Sequence, residues 1–387
     1  MKKVYIDCTF NPYLKTGVEE FSINMLDAIS NWNTESLEVS IIVKAEFKSY
    51  FEGKYGSKFF IKEFSTNKSW KHLKEFIKKN TFLMKLLRKI PVYNFMAVPQ
   101  IKFQSPNKPD LLIFFGQFAY LPNVPYFYFP HDIQHEFYPH HFSKHELSKK
   151  NKFYRTLSEN ASRVFVFSQS EKNKIAKKYN LNKEAVKVIP QGAPQAKDIR
   201  EAKSKGIDVK DFYFYPAVPW NHKNHYNLLK AIKYIKEVYN KEINLVTCGD
   251  KNKGDINLDV LTQNFNLSKN VKNLGYISSS DKESLMDETK ALVFPSLYEG
   301  WGIPIIEAAQ KGKPILANKL DVFQEIWGDS LIYFDGTNPC SIAKTIFHFE
   351  KGSYFWGTLP RLANNISSEF SWEKSATLLM REAIKEA

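Results

Sequence analysis

Two glutamates eight positions apart frame the stretch Glu299-Gly-Trp-Gly-Ile-Pro-Ile-Ile-Glu307, with Gly300 and Gly302 between them. A carboxylate accepts several hydrogen bonds at once, which suits the vicinal hydroxyls of a sugar. The glycines let backbone N–H groups approach a ligand closely. Pro304 suits a first helical turn, and Gly312 suits the stop after Lys311. Strand, glycine loop and helix N-terminus in that order hold phosphate well. Two flanking carboxylates then suit a sugar at each end of a diphosphate. A glycine-rich turn with two surface glutamates accounts for the same letters, and residue types alone leave both readings open. His131, His135, His140, His141 and His145 form a second cluster, with steps of four that suit metal ligands on a helix face. Pro130 and Pro139 interrupt any such helix. No cysteine or acidic cage accompanies these histidines, so no metal site is expected.

The elements that must position these groups are short apolar runs. In the first half they are Val4–Asp7, Ser40–Val43, Asp110–Phe115, Tyr126–Phe129 and Arg163–Phe167. In the second they are Phe212–Tyr215, Ile243–Val246, Ala291–Phe294, Pro314–Ala317 and Leu331–Phe334. Near-continuous apolar runs predict strands buried on both faces, hence parallel sheets covered by helices. Helices are expected over Gly17–Ser30 and after a capping box at Ser168-x-x-Glu171. Another is expected where Leu228, Ile232, Ile235 and Tyr239 recur at steps of three and four. Alternating strand and helix makes the class α/β. The series breaks between Pro190 and Phe212, where turn chemistry and a polar run mark an interdomain linker. Ligands of such sheets sit beyond the carboxyl ends of the strands, so the cleft between two of them is the expected active site.

The glutamate pair and its surroundings resemble the E-x7-E motif of retaining glycosyltransferases of family 4, which have the GT-B fold. The match continues in chain order through Gly17-Val-Glu-Glu-Phe, Phe129-Pro-His131-Asp132-Ile-Gln-His135, Ser168-Gln-Ser-Glu171 and Val188-Ile-Pro-Gln-Gly192. It ends with His222-Lys223-Asn224-His225, Leu274-Gly-Tyr-Ile277 and Phe370-Ser-Trp372-Glu, so it covers nearly the whole chain. The resemblance implies two doubly wound Rossmann-like domains facing across a cleft. They are an acceptor-side domain over 1–192 and a nucleotide-sugar domain over 193–370. A C-terminal helix over 371–387 packs back on the first domain.

By that resemblance Glu299 contacts hydroxyls of the transferred sugar and Glu307 the ribose. Backbone amides of Gly300, Trp301, Gly302 and Ile303 hold sugar and phosphate oxygens. His131 lies beside the reacting carbon, and Lys223 neutralises the diphosphate leaving group. Gly17 lets the N-terminal loop close on phosphate or acceptor, and Tyr276 lies near the base. The family often has Gly-Arg about six residues before the lysine; here Pro216-Ala217 stands in that place. His222 or His225 could compensate only if protonated. The hinge reads Pro-Gln-Gly where Pro-Asn-Gly is usual.

The implied reaction is metal-independent hexosyl transfer with retention, by front-face attack, and needs no cofactor beyond a GDP- or UDP-linked sugar. The style of the His-Asp segment resembles transferases that build bacterial surface polysaccharides such as O-antigen. Mannose is the first expectation, and the acceptor is a glycan or lipid-linked saccharide. The formal net charge is +14, a field that attracts phosphates, nucleic acid or anionic membranes. Between Lys68 and Lys89 eight Lys or Arg face one acid, with apolar residues interleaved at helical steps. Residues 68–90 are therefore expected to lie on an anionic membrane surface, though a solvated basic helix has the same pattern. The chain starts in a strand-like run and has three scattered cysteines, Cys8, Cys248 and Cys340. Neither a disulfide framework nor a signal peptide is indicated, and a cytoplasmic protein at the inner face of the membrane is expected. A non-catalytic membrane- or nucleic-acid-binding protein on a degenerate scaffold is the competing class, but no nucleic-acid motif appears. An NAD-dependent oxidoreductase is disfavoured because no Gly-x-Gly-x-x-Gly follows the first strand.

Overall fold

The computed structural model describes residues 1–14, 16–32, 36–64, 98–117, 119–193, 209–352 and 357–387. The basic amphipathic segment 68–90 lies outside the described residues, as does most of the expected linker.

The N-terminal half is a seven-stranded sheet in the order β3-β2-β1-β5-β7-β8-β9. Its strands are β1 (Lys2–Cys8), β2 (Leu37–Val43), β3 (Phe60–Glu63), β5 (Leu111–Phe114), β7 (Tyr126–Tyr128), β8 (Arg163–Val166) and β9 (Val186–Val188). β4 (Gln100–Ile101) and β6 (Leu121–Pro122) pair separately. The C-terminal half has six strands, β12-β11-β10-β13-β14-β15. These are β10 (Phe212–Pro216), β11 (Asn244–Cys248), β12 (Val271–Asn273), β13 (Ala291–Phe294), β14 (Ile315–Asn318) and β15 (Ile332–Phe334). Every pairing in both sheets is parallel. The protein is thus α/β, with two doubly wound sheets.

Each sheet reverses direction once, between β1 and β5 and between β10 and β13. These are the switch points beyond whose carboxyl ends a doubly wound sheet binds ligands. The helices that matter there are α1 (Gly17–Ser30), α2 (Lys48–Tyr55), α3 (Gln169–Tyr179), α4 (His225–Val238), α5 (Ser279–Glu288), α6 (Ile303–Gln310), α7 (Asp321–Trp327) and α8 (Trp372–Glu386). α1 has the bounds its sequence predicts, and Leu228, Ile232 and Ile235 form the buried face of α4.

α8 belongs to the C-terminal end of the chain but packs on α1. Trp372 lies 5.7 Å from Phe21, Ser375 Oγ donates to the Pro190 carbonyl at 2.6 Å, and Arg163 reaches Glu382 and Glu386. Gly192 touches the Trp372 backbone so closely that a β-carbon there would collide with it. The chain therefore crosses to the second half and returns, which ties the halves at one end of the cleft.

The capping box expected at Ser168 forms only in part. Ser168 Oγ accepts from the Glu171 N–H at 3.1 Å, but the Glu171 carboxylate does not return to the cap. It is buried and accepts instead from Tyr298 OH of the other half at 2.7 Å and from Lys174 at 3.0 Å. The vacated helix end is capped from across the cleft, where Glu325 of α7 accepts from the N–H groups of Gln169 and Ser170, each at 2.6 Å. A reciprocal capping box does occur at Ser143 and Glu146, ahead of helix Lys144–Asn160.

Candidate active site

β10 and β13 are neighbours at the switch point of the C-terminal sheet, and the two charged residues come from the loops that follow them. After β10 the chain turns through Asn221–Lys223. Tyr215 OH donates to the Lys223 carbonyl at 2.7 Å, and Asn224, at φ 63°, donates to the carbonyls of Pro295 and Gly336. Leu297 N–H donates to the His222 carbonyl at 2.8 Å, locking this turn to the loop after β13. The result brings Lys223 Nζ to 2.5 Å from Glu299 Oε1. These side chains are 21% and 12% exposed, so the pair is partly desolvated yet open to the cleft. A partly buried pair of this kind gives little net stability. It holds an ammonium and a carboxylate in register at the cleft.

Gly302 sits at φ 96° as the cap of α6, a left-handed conformation open to glycine, and a β-carbon there would lie 2.8 Å from the Phe323 ring. Pro304 occupies the first turn as expected. Among the described residues, the amides of Gly300, Trp301, Gly302 and Ile303 have no hydrogen-bond partner. They are free for an anion at the positive end of α6. The Trp301 side chain is not part of this site. It is buried against Phe370 with ring centroids 5.0 Å apart, so only its backbone faces the loop.

His131 comes from the opposite wall, and the glycine loop packs on it. A β-carbon on Gly300 would lie 2.6 Å from the His131 carbonyl oxygen. His131 itself has φ 66°, a strained conformation for a residue with a β-carbon. Its ring is buried between Phe21 and Phe167, with centroids at 5.1 and 5.3 Å. Nε2 lies 2.5 Å from the Phe115 carbonyl, which can only accept, so Nε2 carries the proton and Nδ1 is left as an acceptor. Burial pushes the imidazole down to about 4, against the pull of that carbonyl. His131 is neutral at physiological pH. Its neighbour Asp132, which the sequence reading left without a role, also faces the site. Burial raises its carboxyl, and the charges of Glu299 and Lys223 both act on it.

Glu307 lies one turn inside α6, but it is held by a residue the sequence reading did not single out. Lys282 Nζ of α5 is 2.5 Å from Glu307 Oε1. Nothing in spacing pairs residues 25 positions apart on different helices, so only the fold reveals the contact. Tyr276 is 63% exposed after a left-handed Gly275. Gly17 opens α1 with nothing within 4 Å of where its β-carbon would be. The first turn of α1 lies near the second half: Lys253 acts on Glu19, and Glu20 acts on Lys282.

The condition under which His222 or His225 could compensate, protonation, is not met at physiological pH. Burial, with Lys223 as the next cause, drives His222 down to about 2 and His225 to about 3. His225 is buried 4.7 Å from the Tyr215 ring, and the Ala217 backbone beside it pulls only weakly against that burial. Both are neutral and cannot stand in for an arginine's charge.

Two facing parallel sheets thus bring together a partnered lysine, unpaired helix-end amides and two carboxylates, a set whose chemistry fits a phosphorylated sugar derivative. The family described as Glycosyltransferase Family 4 matches residues 39–196, and that described as Glycosyl transferases group 1 matches residues 196–366. The chain belongs to the family 4 type of GT-B glycosyltransferases. It is 27% identical over 222 residues to the O-antigen chain mannosyltransferase RfbU of Salmonella typhimurium, covering 57% of this chain and 60% of that one. Over 115 residues it is 36% identical to the serotype-specific mannosyltransferase WbdA of Escherichia coli, covering 30% of this chain and 14% of the relative. The matches therefore span less than two thirds of these relatives. In fold it is similar to Anabaena HepE solved with UDP-glucose, at a TM-score of 0.67 and 17% identity over the full length of both chains. WaaG, a glycosyltransferase involved in lipopolysaccharide biosynthesis, gives 0.65 and 13%, covering 97% of this chain and 99% of that one.

Proposed function

We propose that the protein is a retaining hexosyltransferase that moves mannose from a GDP- or UDP-linked donor to a glycan or lipid-linked saccharide during bacterial surface-polysaccharide synthesis. The observation that carries this reading is the Lys223–Glu299 pair beside the free amides of Gly300 to Ile303. The choice of mannose and of surface polysaccharide draws on the relatives named above.

In this reading the bond from the anomeric carbon to the diphosphate oxygen breaks first. Negative charge growing on the diphosphate meets Lys223 and the helix-end amides, placed before the reaction begins. The acceptor hydroxyl bonds to the anomeric carbon on the same face, and its proton passes to a diphosphate oxygen. Glu299 holds hydroxyls of the moving sugar, and neutral His131 offers Nδ1 as an acceptor beside it. No metal takes part, since the lysine and amides carry the leaving group's charge. Acceptor chemistry is supported by the N-terminal rim, where Tyr13 stands 67% exposed, edge-on to Phe47 and Tyr50. Aromatic faces of that kind pack on sugar C–H groups. Among the described residues no helix is long and apolar enough to cross a membrane. The basic segment 68–90 is proposed as the peripheral contact at the inner membrane face.

The test is thermal unfolding with UDP, GDP, NAD and an oligonucleotide, followed by donor hydrolysis with GDP-mannose and UDP-glucose, with and without EDTA. The reading expects stabilisation by a nucleoside diphosphate alone, and hydrolysis indifferent to EDTA. Lys223→Met and Glu299→Ala should each cut turnover on the order of 100-fold. Full activity in both variants, or no response to either nucleotide, sinks it.

A further inference from the structure

Lys282 stands in the first turns of α5 and Glu307 one turn inside α6, and their contact at 2.5 Å joins the two helices. Lys282 is the more open member, with 24% of its side chain exposed against 12% for Glu307. Glu307 Oε2 is sealed from solvent and has no hydrogen-bond partner among the described residues. An orphaned buried carboxylate oxygen is costly, and such cost persists where a ligand relieves it. Burial raises the Glu307 carboxyl while Lys282 works against it. For Lys282 burial pulls downward, but Glu307 and then Glu20 outweigh it, and the ammonium is held charged. Glu20 comes from the first turn of α1, so this pair is met by both walls of the cleft.

We propose that Lys282 is a specificity-determining residue that reads the ribose of the donor nucleotide, acting with Glu307 as a joined donor and acceptor; the inference rests on the nucleotide-sugar reading above. A carboxylate only accepts and an ammonium only donates. Each hydroxyl of a vicinal diol does both, so one donates to Glu307 while its neighbour accepts from Lys282. An ammonium has three N–H groups, and the contact with Glu307 uses one. A 2′-deoxyribose satisfies half of the pair and leaves a partly buried charge without its ligand, which is the arrangement that discriminates most strongly between substrates.

Calorimetric titration of the intact protein with UDP and GDP and with their 2′-deoxy counterparts tests this. Wild type should bind the preferred ribonucleotide about tenfold or more tighter than its 2′-deoxy form. Lys282→Met should weaken the ribonucleotide about tenfold and shrink the preference to within about twofold. Lys282→Arg should keep most of it. Lys282→Gln, which retains a donor without the charge, serves if the methionine variant unfolds, and should shrink the preference at least about threefold. Equal weakening of both nucleotides with the preference intact would make Lys282 a structural brace and overturn the proposal. Unchanged binding in the variants overturns it too. A wild type that binds both sugar forms equally overturns the proposal alone, whereas one that binds neither nucleotide overturns the donor reading as well.

Discussion

At the switch point of the C-terminal sheet, β10 and β13 send out Lys223 and Glu299, which meet at 2.5 Å. The matching place in the N-terminal sheet lies between β1 and β5, and among the described residues no ion pair forms there. Its carboxyl ends carry instead the exposed Tyr13, the Phe115 carbonyl and, one strand further, the buried neutral His131. The same topology thus supports two kinds of wall. One presents charge and free amides to an anion. The other presents rings and hydrogen-bond acceptors, the carboxyls of Asp132 and Glu20 among them, which suits a face that positions hydroxyls. The walls touch through backbone at Gly300 and His131 and through side chains at Tyr298 and Glu171.

That contact is where the comparison is easiest to break. Gly300→Ala places a methyl group 2.6 Å from the His131 carbonyl oxygen, so the walls must part or the loop must shift. A displacement near 1 Å in a catalytic loop costs about 100-fold, and donor turnover should fall by at least that much while circular dichroism stays native. Gly17→Ala is the counterpart on the other wall, where the methyl group meets nothing within 4 Å. The free protein should tolerate it, with stability unchanged within about 0.5 kcal/mol. Any activity it loses should appear only with bound substrate, as a higher KM. Equal loss in both variants would mean that Gly300 is not special.

Much of this arrangement is legible in the sequence, and what is hidden has a common cause. All ten apolar runs became strands of the two sheets, because strands covered on both faces must be apolar throughout. The strands that gave no run are β3, β9 and β12 at sheet edges and the two-residue β4 and β6. Lys62 and Glu63 in β3, Lys187 in β9 and Lys272 in β12 are the charges that exposed edges carry. The edge strand β15 was legible because Ile332 and Phe334 are buried. In the site, the glycine loop and its helix are local and could be read. Lys282 with Glu307, Tyr298 with Glu171, and Glu325 on the end of α3 are pairings between distant segments that leave no periodic trace. Glu171 shows the limit well. Its spacing from Ser168 spells a capping box, and tertiary contact with Tyr298 overrides it.

Both walls bury histidines, and acid should expose the cost. His131 and His135 are held at about 4, His222 at about 2 and His225 at about 3, against about 6.5 in an unfolded chain. Below pH 6.5 the unfolded chain therefore binds more protons than the folded one. This contribution to stability is level above that pH and falls as pH drops from 6.5 towards 4. Thermal unfolding measured from pH 7.5 to 5 should show it. The raised carboxyls of Asp132 and Glu307 titrate with the opposite sign, so the comparison of variants carries the test. His135→Phe on one wall and His225→Phe on the other should each flatten the decline. A decline just as steep in both would assign it to other groups.

The smallest effect separates the walls most cleanly. Tyr13 is held outward by an Asn11 turn, with its N–H on Asn11 Oδ1 at 3.0 Å, and by edge contacts to Tyr50 at 5.4 Å and Phe47 at 6.2 Å. A ring kept 67% exposed in this way loses little burial when truncated, so Tyr13→Ala should leave the fold's stability within about 0.5 kcal/mol. If the aromatic rim holds the acceptor, removing one sugar-facing ring should raise the acceptor's KM about three- to tenfold, once an acceptor is in hand. Donor affinity, read by titration with the nucleoside diphosphate, should not move, and Tyr13→Trp should restore the KM. Loss of donor affinity in Tyr13→Ala would instead place this rim on the donor's path, and the division of chemistry between the two walls would have to be redrawn.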